Sequence, residues 1–214
     1  AGHAFDKMSD GGETGDATRQ IAFTVGVIAL GAKMAKADGV VTRDEVEAFR
    51  EVFHVPPDEM KNVAKFFDLA KKDAAGFEPY AAQRAGLFKD NPAVLEDLLD
   101  GLFHSAKADN VYHPNEDQFL HQVANIFGFS DHDFARIRES HVGPDKSDPY
   151  VVLGVDRSAG DAELKSHYRQ LIREHHPDTL IAQGVPQEFV DVANDKLAAI
   201  NDAYDRISQE RGLK

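Results

Sequence analysis

From residue 21 onward, apolar residues return every three or four positions and nothing alternates with the period of a strand, so the chain is expected to be all-α. Ala22, Val25, Ala29 and Ala32 share one helical face, as do Val46, Phe49, Val52 and Phe53, and then Val63, Phe66, Phe67 and Ala70. Leu95, Leu98, Leu99, Leu102 and Phe103 repeat the spacing, followed by Phe119, Val123, Ile126 and Phe127. Breaks fall at Pro56-Pro57, Gly76, Asn91-Pro92 and Gly128. Proline is tolerated in a first helical turn, and glycine just past a last turn adopts left-handed backbone cheaply. Residues 1–18 are rich in Gly, Asp and Ser, have no apolar period, and are expected to be a flexible lead-in.

A stronger break is "HVGPDKSDP", residues 141–149, which reads as a linker with a domain boundary near Pro144. The expected organisation is a helical bundle over 19–141, a linker at 142–147 and a second domain over 148–214. A short polar linker makes independent motion of the two domains the default expectation. In the second domain, "DPYVVLGV" predicts one short helix, capped by Asp148, opened by Pro149 and closed by Gly154. The next helix is expected over 161–175, with Leu164, Tyr168, Leu171, Ile172 and His175 on one face and Lys165, Arg169 and Arg173 on an adjacent one. Pro177 should end it, leaving "DTLIAQGVP" as a loop to a third helix over 187–209. The third helix keeps Phe189, Val192, Ala193, Leu197, Ile200, Ala203, Tyr204 and Ile207 in helical period, with Asp191, Asp195, Asp202 and Asp205 outside. The second and third helices are expected to return antiparallel as a hairpin.

Charge changes how that surface reads. The 214 residues carry a formal net charge of −13, split −9 and −4 between 1–146 and 147–214. Such a balance argues against a nucleic-acid binder, which needs a basic surface. It also makes the Lys165, Arg169, Arg173 stripe locally distinctive, and opposed basic and acidic faces steer partners more than they stabilise folds. The chain has no cysteine, which removes disulfides, thiolate catalysis and Cys-type zinc sites. The longest uncharged apolar run, 21–32, is 12 residues, short of the roughly 20 that span a bilayer. The chain alone is therefore expected to be soluble, and its start at Ala1 rather than Met implies an upstream part that has been removed.

Two places could carry chemistry. The first is "EHHPD", residues 174–178. Zinc ligation by His167, His175, His176 and Asp178 is disfavoured, because adjacent histidines rarely chelate one ion and His175 falls on the apolar face. An acid/base enzyme would need a pocket and an oriented partner that this loop does not supply. The second is an internal repeat, "AKADGVVTRDE" at 35–45 and "AKADNVYHPNE" at 106–116. Each copy places a Glu (Glu45, Glu116) seven positions after an Asp (Asp38, Asp109). One reading is a divalent-cation site built from these four carboxylates. The other is that they cap helices and complement helix dipoles, and the spacing does not fit an EF-hand. The repeat resembles the TerB-like helical domains of tellurite-resistance proteins, whose acidic positions Asp38, Glu45, Asp109 and Glu116 match. Asn110 departs from that pattern, where Gly is usual.

"DPYVVLGV", "HYRQLIREHHPD" and "LAAINDAYDRI" occur in order over nearly 70 residues and resemble the three landmarks of a J domain. That resemblance implies docking on a DnaK-type chaperone and stimulation of its ATPase, with no catalysis by the chain itself and no required cofactor. The implied docking residues are His176, Pro177, Asp178, Lys165, Arg169 and Arg173. Pro177 would pre-order the loop, Asp178 would offer a carboxylate to a partner arginine, and His176 would hold the loop through neighbouring backbone. Gly160 stands where a Ser or Thr cap is common and Thr179 where many relatives carry Lys. The pairing of a TerB-like domain with a C-terminal J domain is similar to membrane-anchored DnaJ-like co-chaperones of Gram-negative bacteria. "TLIAQGVPQE" with Gly184 and Pro186, "HPNE" at 113–116 and "GHAFDKM" at 2–8 support that likeness. It implies an upstream membrane span, a place on the cytoplasmic face of the inner membrane, and a client or envelope protein as a further partner of the TerB-like domain. The alternative is a metal- or envelope-responsive interaction module whose J domain is a weak or vestigial docking tag.

Overall fold

The computed structural model describes residues 6–37, 65, 72, 76–107, 112–141, 143 and 146–213, with side chains from residue 19 onward except at 36, 37 and 188. Among these residues there are nine α-helices and no strand. They are α1 (Asp6–Ala37), α2 (Glu78–Leu87), α3 (Pro92–Ala106), α4 (Pro114–Phe127) and α5 (Asp131–Ser140), then α6 (Pro149–Leu153), α7 (Asp161–Glu174), α8 (Pro177–Ala182) and α9 (Val190–Arg211), the last preceded by a 3-10 turn at Gln187–Phe189. Apart from residue 65, the helices expected over 46–53 and 63–70 lie outside the described residues.

Two expectations need correction. Residues 6–18 are helical backbone continuous with α1 rather than an irregular lead-in. Their composition gives no reason to nucleate a helix, but a nucleated one extends at the cost of only one residue per added hydrogen bond. Residues 177–182 are helix α8 rather than loop. Pro177 blocks continuation of α7, yet at the first position of a new helix its missing N–H costs nothing and its fixed φ is already helical.

The first domain packs around α3. Asn91 and Pro92 open this helix, and nearly every residue on it is buried. Leu95, Leu98, Leu99, Leu102 and Phe103 meet Phe23, Val27, Leu30 and Met34 of α1 and Phe119, Leu120 and Val123 of α4 in one apolar core. Gly26 lets α1 pass under the buried Arg84 of α2, because a Cβ there would stand 2.4 Å from the Arg84 Nε. Gly128, at φ 91°, ends α4, and Ser130 caps α5 by accepting from the Asp133 N–H.

The second domain has its own smaller core, in which Tyr150, Val152 and Leu153 of α6, Leu164 and Leu171 of α7, and Ile200, Ala203 and Ile207 of α9 meet. Asp148 caps α6 by accepting from the Tyr150 N–H, and Gly154 at φ 66° closes it. Tyr168 of α7 stacks on Tyr204 of α9 with ring centroids 4.0 Å apart, and its hydroxyl donates to Asn201.

The domains do not stand apart. Leu180, Val185, Phe189, Val192 and Ala193, all from the second domain, belong to the core of the first. Phe189 sets its ring edge-on to Phe23, centroids 4.7 Å apart, and reaches α3 where Gly101 leaves room, since a Cβ there would come within 2.9 Å of the ring. At the junction the backbone N–H of Asp148 donates to Glu139, and Arg206 donates to the Ser147 carbonyl. Against the expectation of two independent domains, α9 joins both cores along its length, with Val192 and Ala193 near its start in the first and Ile200, Ala203 and Ile207 further on in the second.

Candidate docking surface

The basic stripe and the His-Pro-Asp triplet emerge on one exposed run of chain. Lys165, Arg169 and Arg173 lie at i, i+4 and i+8 of α7, and all three are exposed. Arg173 sits in the last turn, where a cation complements the helix dipole. His175 ends α7 with its N–H on the Leu171 carbonyl, and His176 then caps α8. The His176 Nδ1 accepts from the Asp178 N–H at 3.2 Å, so in this arrangement its proton resides on Nε2. The Thr179 and Leu180 amides both donate to the His176 carbonyl, which closes the turn from the other side. Side-chain exposure is 50% for His176 and 90% for Asp178, whereas Pro177 is half-buried. A hydrogen-bonded tip thus presents an imidazole and, 3.8 Å from it, a largely exposed carboxylate to solvent.

Behind the tip lies a buried polar cluster. Three carboxylates of α3, Glu96, Asp97 and Asp100, face Lys196 of α9 at 2.5, 3.5 and 2.7 Å. Arg136 of α5 grips both oxygens of Glu96, and His141 meets Asp100 at 2.8 Å. His175 enters from the other domain, its Nε2 3.6 Å from Glu96 and its Nδ1 3.7 Å from Asp97. Burial opposes charge on Lys196, but the three carboxylates outweigh it and raise its pKa. Burial would likewise raise Glu96 and Asp100, but Lys196 overrides it at both, with help from Arg136 at Glu96 and from His141 at Asp100, and both end lowered. At Asp97 burial wins and the pKa rises.

His175 was expected on the apolar face of its helix; it is buried as expected, but against carboxylates of the other domain. Sequence reasoning missed the cluster altogether. The available signal was a lysine, Lys196, lying between Val192, Ala193 and Ile200 on the buried stripe of α9. His167 is structural, its Nε2 donating to the Leu153 carbonyl and tying α7 to α6. Of the four repeat carboxylates, Asp38, Glu45 and Asp109 lie outside the described residues. Glu116 is buried and accepts from the His113 N–H at 2.9 Å, as a helix-capping carboxylate does. Among the described residues no three His, Cys, Asp or Glu side chains are arranged so that they could hold a metal ion. Nor is any helix among them long and apolar enough to cross a membrane.

Two family models match the chain in series: the tellurite resistance protein TerB over residues 24–139 and the DnaJ domain over residues 148–212. The chain is similar to curated proteins named Co-chaperone protein DjlA. Identity is 31% to that of Photobacterium profundum, with all of this chain and 91% of the relative aligned. It is 28% to those of Vibrio cholerae and Shewanella oneidensis, with all of this chain and 90% and 89% of the relatives aligned. No solved structure matches. A TerB domain and a DnaJ domain in one chain, aligned end to end with these relatives, place it in the DjlA co-chaperone family.

Proposed function

We propose that this co-chaperone docks on a DnaK-type chaperone through Lys165, Arg169, Arg173 and the tip His176-Pro177-Asp178, and that docking stimulates ATP hydrolysis by the partner. The observation that carries this reading is the pre-formed tip: a proline-fixed turn whose histidine is committed to backbone, leaving the Asp178 carboxylate exposed. A pre-ordered tip loses little conformational entropy on binding. A charge-assisted bond from a partner arginine to Asp178 would contribute up to about 3 kcal/mol. Three cations in one row on an acidic chain suit an acidic partner surface and speed encounter.

The chain supplies no reacting group in this scheme; it selects a conformation of the partner in which hydrolysis is fast. The TerB-like domain acts as the client or sensor module, and in the full-length protein an upstream segment holds both domains at the cytoplasmic face of the inner membrane. Single-turnover ATPase measurements with a DnaK-type chaperone test the proposal. Wild-type chain should stimulate, while His176→Gln and Asp178→Asn should lose most of the effect. No stimulation by wild type, or equal stimulation by the variants, would overturn it.

A further inference from the structure

The polar cluster under the docking tip has no role in the scheme above, and its composition is unusual for a packing interface. Three carboxylates, two cations and two histidines converge between the domains, and the pair that adjoins the tip, His175 and Asp97, is the least satisfied. The His175 ring is 3% exposed, yet its Nδ1 and both Asp97 oxygens lack a hydrogen bond among the described residues. Folds carry few such groups, so each needs a reason. His175 is also the single residue between the last residue of α7 and the cap of α8. Whatever fixes its ring fixes the direction in which His176, Pro177 and Asp178 leave α7.

We propose that His175 is a positioning residue seated on Glu96 and Asp97, through which the TerB-like domain sets the geometry of the docking tip and so regulates activation of the partner chaperone. This rests on the docking role proposed for His176-Pro177-Asp178. The seat is rigid on one side and compliant on the other. Glu96 is held by Arg136 and Lys196, whereas among the described residues Asp97 has only the 3.5 Å approach of Lys196 and the 3.7 Å approach of His175. A shift of α3 by a few tenths of an ångström would make or break a direct His175–Asp97 bond. Occupancy of the TerB-like domain by its own partner could thereby reach the tip without touching it. The apolar half of the interface, with Phe189 on α3 at Gly101, keeps the two domains in register for that coupling.

The test uses the intact chain, a DnaK-type chaperone and a double-mutant cycle. Asp97→Ala removes the compliant half of the seat while leaving Lys196 its shorter contacts with Glu96 and Asp100. It should raise the concentration for half-maximal ATPase stimulation roughly fivefold, and by less than about twofold in a His175→Ala background, because coupled sites are not additive. Hydrogen exchange at the Thr179 and Leu180 amides, which close the tip, should quicken in Asp97→Ala without partner present. Should Asp97→Ala lose its fold, the shape-conserving Asp97→Asn takes its place in both measurements. Wild-type stimulation and exchange in the variant, or an equal loss in both His175 backgrounds, would overturn the positioning role. A wild-type chain that fails to stimulate sinks the docking proposal instead, and the exchange measurement still decides whether Asp97 holds the tip.

Discussion

Replacing Phe189 by alanine tests whether the two domains share a core. Phe189 belongs to the J domain by sequence, but its ring is 1% exposed within the TerB-like core, edge-on to Phe23 at 4.7 Å and against α3 at Gly101. Truncating a fully buried phenylalanine costs about 3–5 kcal/mol, from lost transfer energy and the cavity left behind. Roughly 0.5–1.5 kcal/mol of that belongs to the edge-to-face contact. For a chain of this length each kcal/mol moves the melting temperature by about 2–4 °C, so the midpoint should fall by roughly 10 °C. Phe189→Leu, which keeps most of the volume and loses the ring edge, should cost about 1–1.5 kcal/mol. Urea unfolding followed by far-UV circular dichroism gives the energies, and methyl resonances give their location. Leu98 and Val27 report the first core and Ile207 the second. In wild type all three should follow one transition. A loss below about 1 kcal/mol in Phe189→Ala, with Ile207 melting apart from Leu98 in wild type, would refute the shared core.

The acidic cluster separates two carboxylates by sign. Asp100→Asn should cost about 3 kcal/mol at neutral pH by leaving Lys196 short of a partner. The depressed pKa values of Glu96 and Asp100 mean that their contribution is complete above the unfolded carboxyl range and is lost as pH falls below about 4, so Asp100→Asn should flatten the acid limb of a stability–pH curve. Asp97 has a raised pKa, so its charge is a penalty at neutral pH that fades as pH falls, and Asp97→Asn should be neutral or stabilising at pH 7 by chemical denaturation. Alanine at Lys165, Arg169 and Arg173 together should change stability by less than about 0.5 kcal/mol, since all three are solvated, yet slow association with a DnaK-type partner. The same triple variant should remove most of the salt dependence of the association rate, read by stopped flow.

What was legible in the sequence is what local chemistry dictates. Asn91-Pro92, Ser130, Asp148-Pro149 and the glycines at 128 and 154 mark helix ends because their φ and hydrogen-bonding needs are met there regardless of tertiary context. The exposed row Lys165, Arg169, Arg173 was legible for the same reason, since helical spacing alone puts three such residues on one face. Residues answering to two partners at once were not. The run from Phe189 along α9 reads as one apolar stripe, but Phe189, Val192 and Ala193 face the first domain while Ile200, Ala203 and Ile207 face α7 and α6. Lys196 stands where the stripe changes partner. A buried lysine there is uninterpretable until Glu96, Asp97 and Asp100 are known to sit opposite, about a hundred residues away in the chain. "HHPD" hid the same ambiguity: of two adjacent histidines, one caps a helix within its own turn and the other is seated on a different domain, and only the first of these roles is written in local sequence. A short polar linker was therefore a poor guide to how the domains pack, because the contacts between them run through side chains on either side of it rather than through the linker itself.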